Sequence, residues 1–204
     1  MKAEKVGESK TTLVSAYPSA TTGDFALGNL IADGMKAEMN ADFAMMNGGG
    51  VPANLNEGLV TFGDLFNIQP FGNVLNKVKL SGADLETVLN NQISESTAPD
   101  GTKSYRLDFH VAGFKYTWDG NTGKVVDIFL PDGQRIDRNK EYTVVVNNYM
   151  YGNAKYGIQD LATDLEVGPE DLQGTLNYVK TLPTPFEYKA ENRIKQLVPL
   201  AIAQ

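Results

Sequence analysis

The chain has 204 residues with a net charge of −7, no cysteine and one histidine. That length supplies one substantial core and fits a single domain spanning 1–204. The composition excludes disulfides and thiolate metal sites, every histidine-rich zinc or di-metal phosphatase motif, and a basic stripe of the kind that replaces counterions on nucleic acid.

The predicted elements run as follows. Residues 1 to 9 are polar and read as loose. Lys10–Ser15 is a short strand candidate, ended by Pro18. Asp24 is placed to cap a helix whose Leu27, Leu30, Ile31 and Met35 share one face, with Asn40 and Ala41 ending it. Asp42–Met46 reads as a buried strand, followed by Gly48-Gly49-Gly50. Three glycines lose much backbone entropy on ordering, which a chain accepts at a sharp turn or a close approach to a ligand. Thr61 is the expected N-cap of a short helix carrying Phe62, Leu65 and Phe66, which Pro70 stops. Gln69-Pro70-Phe71-Gly72-Asn73 then holds a phenylalanine on a turn, as either a core plug or an exposed stacking surface. Val74–Leu80 alternates as a strand, and Ser81, with Asp84 three residues on, caps a helix with Leu85, Val88, Leu89 and Ile93 in one stripe.

The stretch from Ser94 to Ser104 reads as loop, with Pro99, Asp100 and Gly101 as turn residues. Strands are expected at Asp108–Ala112, Phe114–Trp118, Lys124–Phe129 and Glu141–Asn147, with hairpin signals at Asp119–Gly123 and Pro131–Gly133. Val144-Val145-Val146 suits a strand covered on both faces. Asp171–Leu182 forms a helix, and a proline-bearing connection leads to a last segment at Arg193-Ile194. The result is a mixed α/β (α+β) domain with helices on a largely antiparallel or mixed sheet system. No apolar run reaches the roughly 18 residues of a membrane span. No basic head followed by an apolar stretch opens the chain, so no signal peptide is expected in it. A Ser-His-Asp triad could use only His110, and no Gly-x-Ser-x-Gly elbow occurs. His110 therefore reads as a structural or surface strand residue, with no catalytic residue and no metal ligand set in this chain.

Five segments in order carry a resemblance: Gly28–Asp33 (GNLIAD), Asn47–Val51 (NGGGV), Thr61–Leu65 (TFGDL), Pro70–Asn73 (PFGN) and Leu80–Leu85 (LSGADL). Together with Val6-Gly7-Glu8 and Glu191–Ile194 they resemble the C-terminal domain of the 5′-nucleotidase / UDP-sugar hydrolase / 2′,3′-cyclic phosphodiesterase family. The resemblance implies a four-layer α/β/β/α domain with mixed sheets. It also implies an N-terminal metallophosphoesterase partner domain, absent here, that holds a divalent metal pair, and a periplasmic, cell-surface or extracellular parent protein. The partner of this chain would be a nucleotide or nucleoside-type small molecule.

By the same resemblance two rings sandwich the base, and Phe71 and Tyr149 are the matching positions. Asn47 and Asn73 match asparagines that hydrogen-bond base edges, and the Gly48–Gly50 loop, centred on Gly49, serves close backbone approach. Turn chemistry is the alternative for both asparagines, and core packing for both rings. Three positions depart from the family pattern: Thr21 and Pro52 stand where it has arginines, and Lys155 where it has the ribose-gripping aspartate. Between Thr11 and Asn76 the only basic residue is Lys36. Lys155 is then a candidate substitute cation. Two functions follow as expectations: the substrate-recognition part of a metal-dependent nucleotide hydrolase, or a non-catalytic binding or structural cap domain with an altered site.

Overall fold

The computed structural model describes residues 4–19 and 23–197. The first half runs β1 (Lys5–Ser9), α1 (Ala26–Glu38), β2 (Phe43–Asn47), a 3-10 turn (Gly48–Gly50), β3 (Gly58–Thr61), α2 (Phe62–Ile68), β4 (Val74–Ser81) and α3 (Gly82–Asn91). The second runs β5 (Ser94–Thr97), β6 (Lys103–Arg106), β7 (Phe109–Ala112), β8 (Lys115–Asp119), β9 (Lys124–Phe129) and β10 (Glu141–Asn147). It closes with α4 (Asn148–Gly152), α5 (Ile158–Leu161), β11 (Thr163–Glu170), α6 (Asp171–Thr181) and β12 (Ile194–Leu197).

A five-stranded sheet in the order β11-β4-β10-β2-β7 forms the centre, with β10 parallel to β2 and the other neighbours antiparallel. Its strands β2 and β10 are apolar on both faces, and each face supplies a different core. Phe43, Met45, Val144 and Val146 pack towards α3 and a three-stranded sheet, β12-β8-β9. Ala44, Met46 and Val145 pack towards α1, α2 and α6. The period of two that sends neighbours to opposite faces thus gives helix, sheet, sheet and helix contributions around two cores sharing one sheet. This is the mixed α+β architecture the chain's pattern predicts.

Local departures from the sequence reading have physical reasons. The first strand is Lys5–Ser9, paired with β3, whereas Leu13 within the predicted Lys10–Ser15 strand forms a single bridge to Leu55. Asp24 does not cap α1: the N-cap is Phe25, and the buried Asp24 carboxylate accepts from Asn29 Nδ2 (2.7 Å), Glu191 N (2.8 Å) and Arg193 N (3.1 Å). It ties the helix start to the C-terminal segment instead. Thr61 caps α2 as expected, in a full capping box with Asp64, but Phe66 is exposed rather than on the buried side. The predicted loop at Ser94–Ser104 is a hairpin, β5–β6. His110 is buried on β7, and burial holds its pKa down to about 4. Its folded pKa lies below the unfolded value, so the stability it contributes is present above about pH 6.5 and is lost as pH falls towards 4.

Candidate functional site

Four structural pieces converge on one cleft: the end of β2, the 3-10 glycine turn, the Pro70–Asn73 turn before β4, and α4. The cleft is about 270 Å³ and is lined by Asn47, Gly49, Gly50, Phe71, Asn73 and Tyr149. Five of the six predicted site residues therefore line a single space. The sixth, Lys155, does not line it; its Nζ donates to Ser94 Oγ at 2.8 Å. Gly50 carries no signal in the sequence beyond its place in the glycine run.

Both rings are displayed rather than packed away, with Phe71 58% and Tyr149 53% exposed. A core plug would be near zero, so neither ring is one. Gly72 adopts a left-handed φ of 67°, which lets the chain reverse directly after Phe71 and leaves the ring on the outside of the turn. Tyr149 sits in the first turn of α4, whose N-cap Asn147 accepts from Met150 N at 2.8 Å. Two bonds anchor the Pro70–Asn73 turn, the first to α4 and the second to the start of α6. Val74 N donates to Asn148 Oδ1 at 2.9 Å, and Asp171 N donates to Asn73 O at 2.9 Å. The turn bearing Phe71 is thereby tied to the helix bearing Tyr149.

The hydrogen-bond network decides what Asn47 offers. Asn147 is fully buried and its Oδ1 is committed to Met150 N, so its Nδ2 points the other way, donating to Asn47 Oδ1 at 2.9 Å. Asn47 must then present its own N–H₂ elsewhere, and among the described residues that donor has no partner. The Asn73 side-chain amide likewise has no protein partner among them. The cleft lining thus combines two exposed aromatic rings with two asparagine amides, the group types that suit the face and edge of a heterocycle.

The glycine turn is held from behind. Gly48 N donates to Asp108 O (2.7 Å) and Asp108 Oδ1 (3.2 Å). The other carboxylate oxygen accepts from Tyr156 O–H, and Gln92 Oε1 accepts from Asp108 N at 2.6 Å. Burial first, then the bond to Asp108, raises the Tyr156 phenol pKa, so it is a fixed neutral donor. A Cβ on Gly48 would lie 2.4 Å from the Tyr17 ring, so only glycine lets the loop and Tyr17 meet. Of the residues that depart from the family pattern, Pro52 lies exposed just beyond this turn, and Thr21 lies outside the described residues.

Beneath Asn73, Asp171 is 2% exposed, and burial raises its pKa to about 6. The folded state holds that proton more tightly than the unfolded chain between about pH 3.8 and 6. The ionised carboxyl therefore costs stability above pH 6, by roughly 2–3 kcal/mol for a shift of about two units, and costs nothing below pH 3.8. Asp171→Asn is expected to raise Tm at pH 7–8 and to leave it nearly unchanged at pH 4. Equal shifts at both pH values in calorimetry would contradict this.

Among the described residues no group of three or more His, Asp or Glu side chains converges to hold a metal ion. The buried His110 is the chain's only histidine, so these residues do not fit a di-metal centre. Among the described residues no helix is long and apolar enough to cross a membrane.

Comparison with known proteins gives the family of the chain. A family model described as 5′-nucleotidase, C-terminal domain, matches residues 5–162, a segment that contains every cleft residue. The endonuclease YhcR of Bacillus subtilis (strain 168) is 47% identical over 195 residues, covering 94% of the chain and 15% of that protein. The trifunctional nucleotide phosphoesterase protein YfkN of the same organism is 31% identical over 210 residues, covering 97% of the chain and 14% of that protein. The structure of the 5′-nucleotidase precursor from Thermus thermophilus matches with a TM-score of 0.78 at 27% identity, over 96% of this chain and 40% of that one. The chain spans about 15% of the length of YhcR and about 14% of YfkN. With most of its length matched and its aromatic cleft inside the matched segment, the chain belongs to the 5′-nucleotidase C-terminal domain family.

Proposed function

We propose that the cleft binds the base of a nucleotide, sandwiched between Phe71 and Tyr149 with Asn47 and Asn73 donating to its edge. The chain acts as the substrate-recognition part of a phosphoester hydrolase. The observation that carries this is one cleft lined by two half-exposed rings, on walls joined by a hydrogen bond, and by two asparagine amides whose N–H₂ groups have no partner among the described residues. The cleft volume of about 270 Å³ lies just below the range typical of whole-ligand pockets, which suits a base alone with sugar and phosphate projecting outward. Since this chain's residues do not fit a metal pair, the bond-breaking chemistry belongs to a metallophosphoesterase domain N-terminal to it, in an exported or surface-held protein. The chain by itself positions substrate and hydrolyses nothing.

A second reading is favoured by Pro52, which leaves the end of the glycine loop without the family's arginine. In that reading the fold is a binding or cap module whose ligand differs from a nucleoside monophosphate. Thermal shift with adenosine, AMP, a UDP-sugar and a 2′,3′-cyclic nucleotide separates the two. A ligand at a hundred times its Kd adds about 2.7 kcal/mol and a clear rise in Tm. At least one of the four is expected to produce it, and no rise with any of them at millimolar concentration would contradict nucleotide recognition.

A further inference from the structure

Arg106 and Lys155 make no ion pair with a carboxylate among the described residues. Of the chain's four arginines, Arg135, Arg138 and Arg193 pair with Asp127, Glu86 and Asp33. Arg106 instead lies over the Tyr17 ring, its Cζ 4.9 Å from the centroid, and makes no ion pair among the described residues. Tyr17 lies against the glycine turn: its hydroxyl is 3.3 Å from where a Cβ on Gly49, a cleft residue, would be. The guanidinium is therefore one aromatic ring away from the cleft wall.

Lys155 is linked to the hairpin that carries Arg106. Its Nζ donates to Ser94 Oγ, and Ser94 is the cross-strand partner of Arg106 in the β5–β6 hairpin. The ammonium also lies 5.8 Å from the centroid of the Tyr156 ring, whose hydroxyl anchors Asp108. Asp108 is buried, and both its carboxylate oxygens are already accepting, from Gly48 N and Tyr156 O–H. Ser94, which holds the Lys155 ammonium, and Arg106 thus face each other across the β5–β6 hairpin, so the two cations rise from one cross-strand position.

We propose that Arg106 and Lys155 form an anion subsite on the Tyr17 side of the glycine turn, which takes the phosphate of the bound nucleotide. It rests on the base-clamp reading above. The guanidinium offers a planar fork to two phosphate oxygens and the lysine adds a point charge, replacing by a different hairpin what Pro52 no longer supplies.

The test is isothermal titration of the chain with adenosine, AMP and inorganic pyrophosphate. AMP is expected to bind at least about tenfold more tightly than adenosine, as a charged hydrogen bond to phosphate provides. Arg106→Gln with Lys155→Gln should erase that advantage while adenosine affinity changes by less than about twofold. Both residues are exposed, so circular dichroism and Tm should match the parent chain. Phe71→Ala should do the reverse, weakening adenosine and AMP equally and preserving their ratio. An AMP-to-adenosine ratio unchanged in the double variant overturns the subsite and leaves the clamp standing. Pyrophosphate binding that depends on Arg106, without nucleoside binding, keeps the subsite and overturns the clamp. Binding of none of the three overturns both.

Discussion

Arg193→Met is expected to lower the stability of the chain by about 3–5 kcal/mol, the largest loss from any single side chain outside the hydrophobic cores. Arg193 is 6% exposed and forks onto Asp33, with Nη1 to Oδ1 and Nη2 to Oδ2 both at 2.8 Å. Nη1 also donates to Val111 O at 2.8 Å, and Nε to Glu191 at 3.1 Å. The side chain thus joins α1, β7 and the approach to β12. Its removal leaves the Asp33 carboxylate and a buried carbonyl short of donors, which costs more than the pair itself contributes. Asp33 also accepts from Tyr188, so the damage reaches the segment that leads to β12. Urea denaturation should show a lowered midpoint with an unchanged slope. Arg193→Lys should recover only part of the loss, because an ammonium cannot span both carboxylate oxygens. A loss below about 1 kcal/mol for Arg193→Met would show that this joint is not structural.

Phe71→Ala is expected to act in the opposite way, on binding and not on stability. The ring is 58% exposed, so its loss should change Tm little, as for surface substitutions generally. Stacking against a base is worth about 1–3 kcal/mol, so affinity for adenosine should fall roughly 5- to 150-fold. Phe71→Trp should preserve or improve it, since any flat aromatic face serves. Tyr149→Ala should match Phe71→Ala, and the double variant should lose less than the sum, because a base held on one face already gives up the sandwich. Unchanged adenosine affinity in Phe71→Ala would rule out the ring as a stacking surface.

The sequence was most legible where local chemistry and tertiary role agree. Thr61 and Ser81 cap the helices they precede, and the apolar run of β10 lies at the sheet centre because both of its faces are covered. Legibility failed where pairing is made by chain segments far apart or by exposed residues. The β5–β6 hairpin is built from Ser, Glu, Lys, Tyr and Arg, largely exposed, so no apolar alternation marks it. The edge strand β11 contains Gly168 and Pro169 and leaves Leu165 and Val167 exposed, so no strand pattern marks it although it pairs with β4. Asp24 looks like an N-cap from its position but is claimed by backbone donors about 170 residues downstream, at Glu191 and Arg193.

At the cleft, the type of each residue was legible and its donor geometry was not. Phe71 between proline and glycine marks a ring on a turn, as core plug or displayed surface, and its 58% exposure decides for display. That Asn47 faces the cleft with its N–H₂ follows only from Asn147, a hundred residues away, whose orientation is fixed by capping α4. Arg106 gives no signal at all in the sequence, because its place beside Tyr17 depends on the unforeseen hairpin. Lys155 is marked by its position in a motif, yet it stands beside the cleft rather than in its lining.

The most direct test of the base clamp is proton NMR of the chain with adenosine. The base H2 and H8 resonances should move upfield through the ring currents of two stacked aromatics and show intermolecular NOEs to the ring protons of both Phe71 and Tyr149. Base protons that keep their free shifts, or that show NOEs only to residues outside this cleft, would contradict the account.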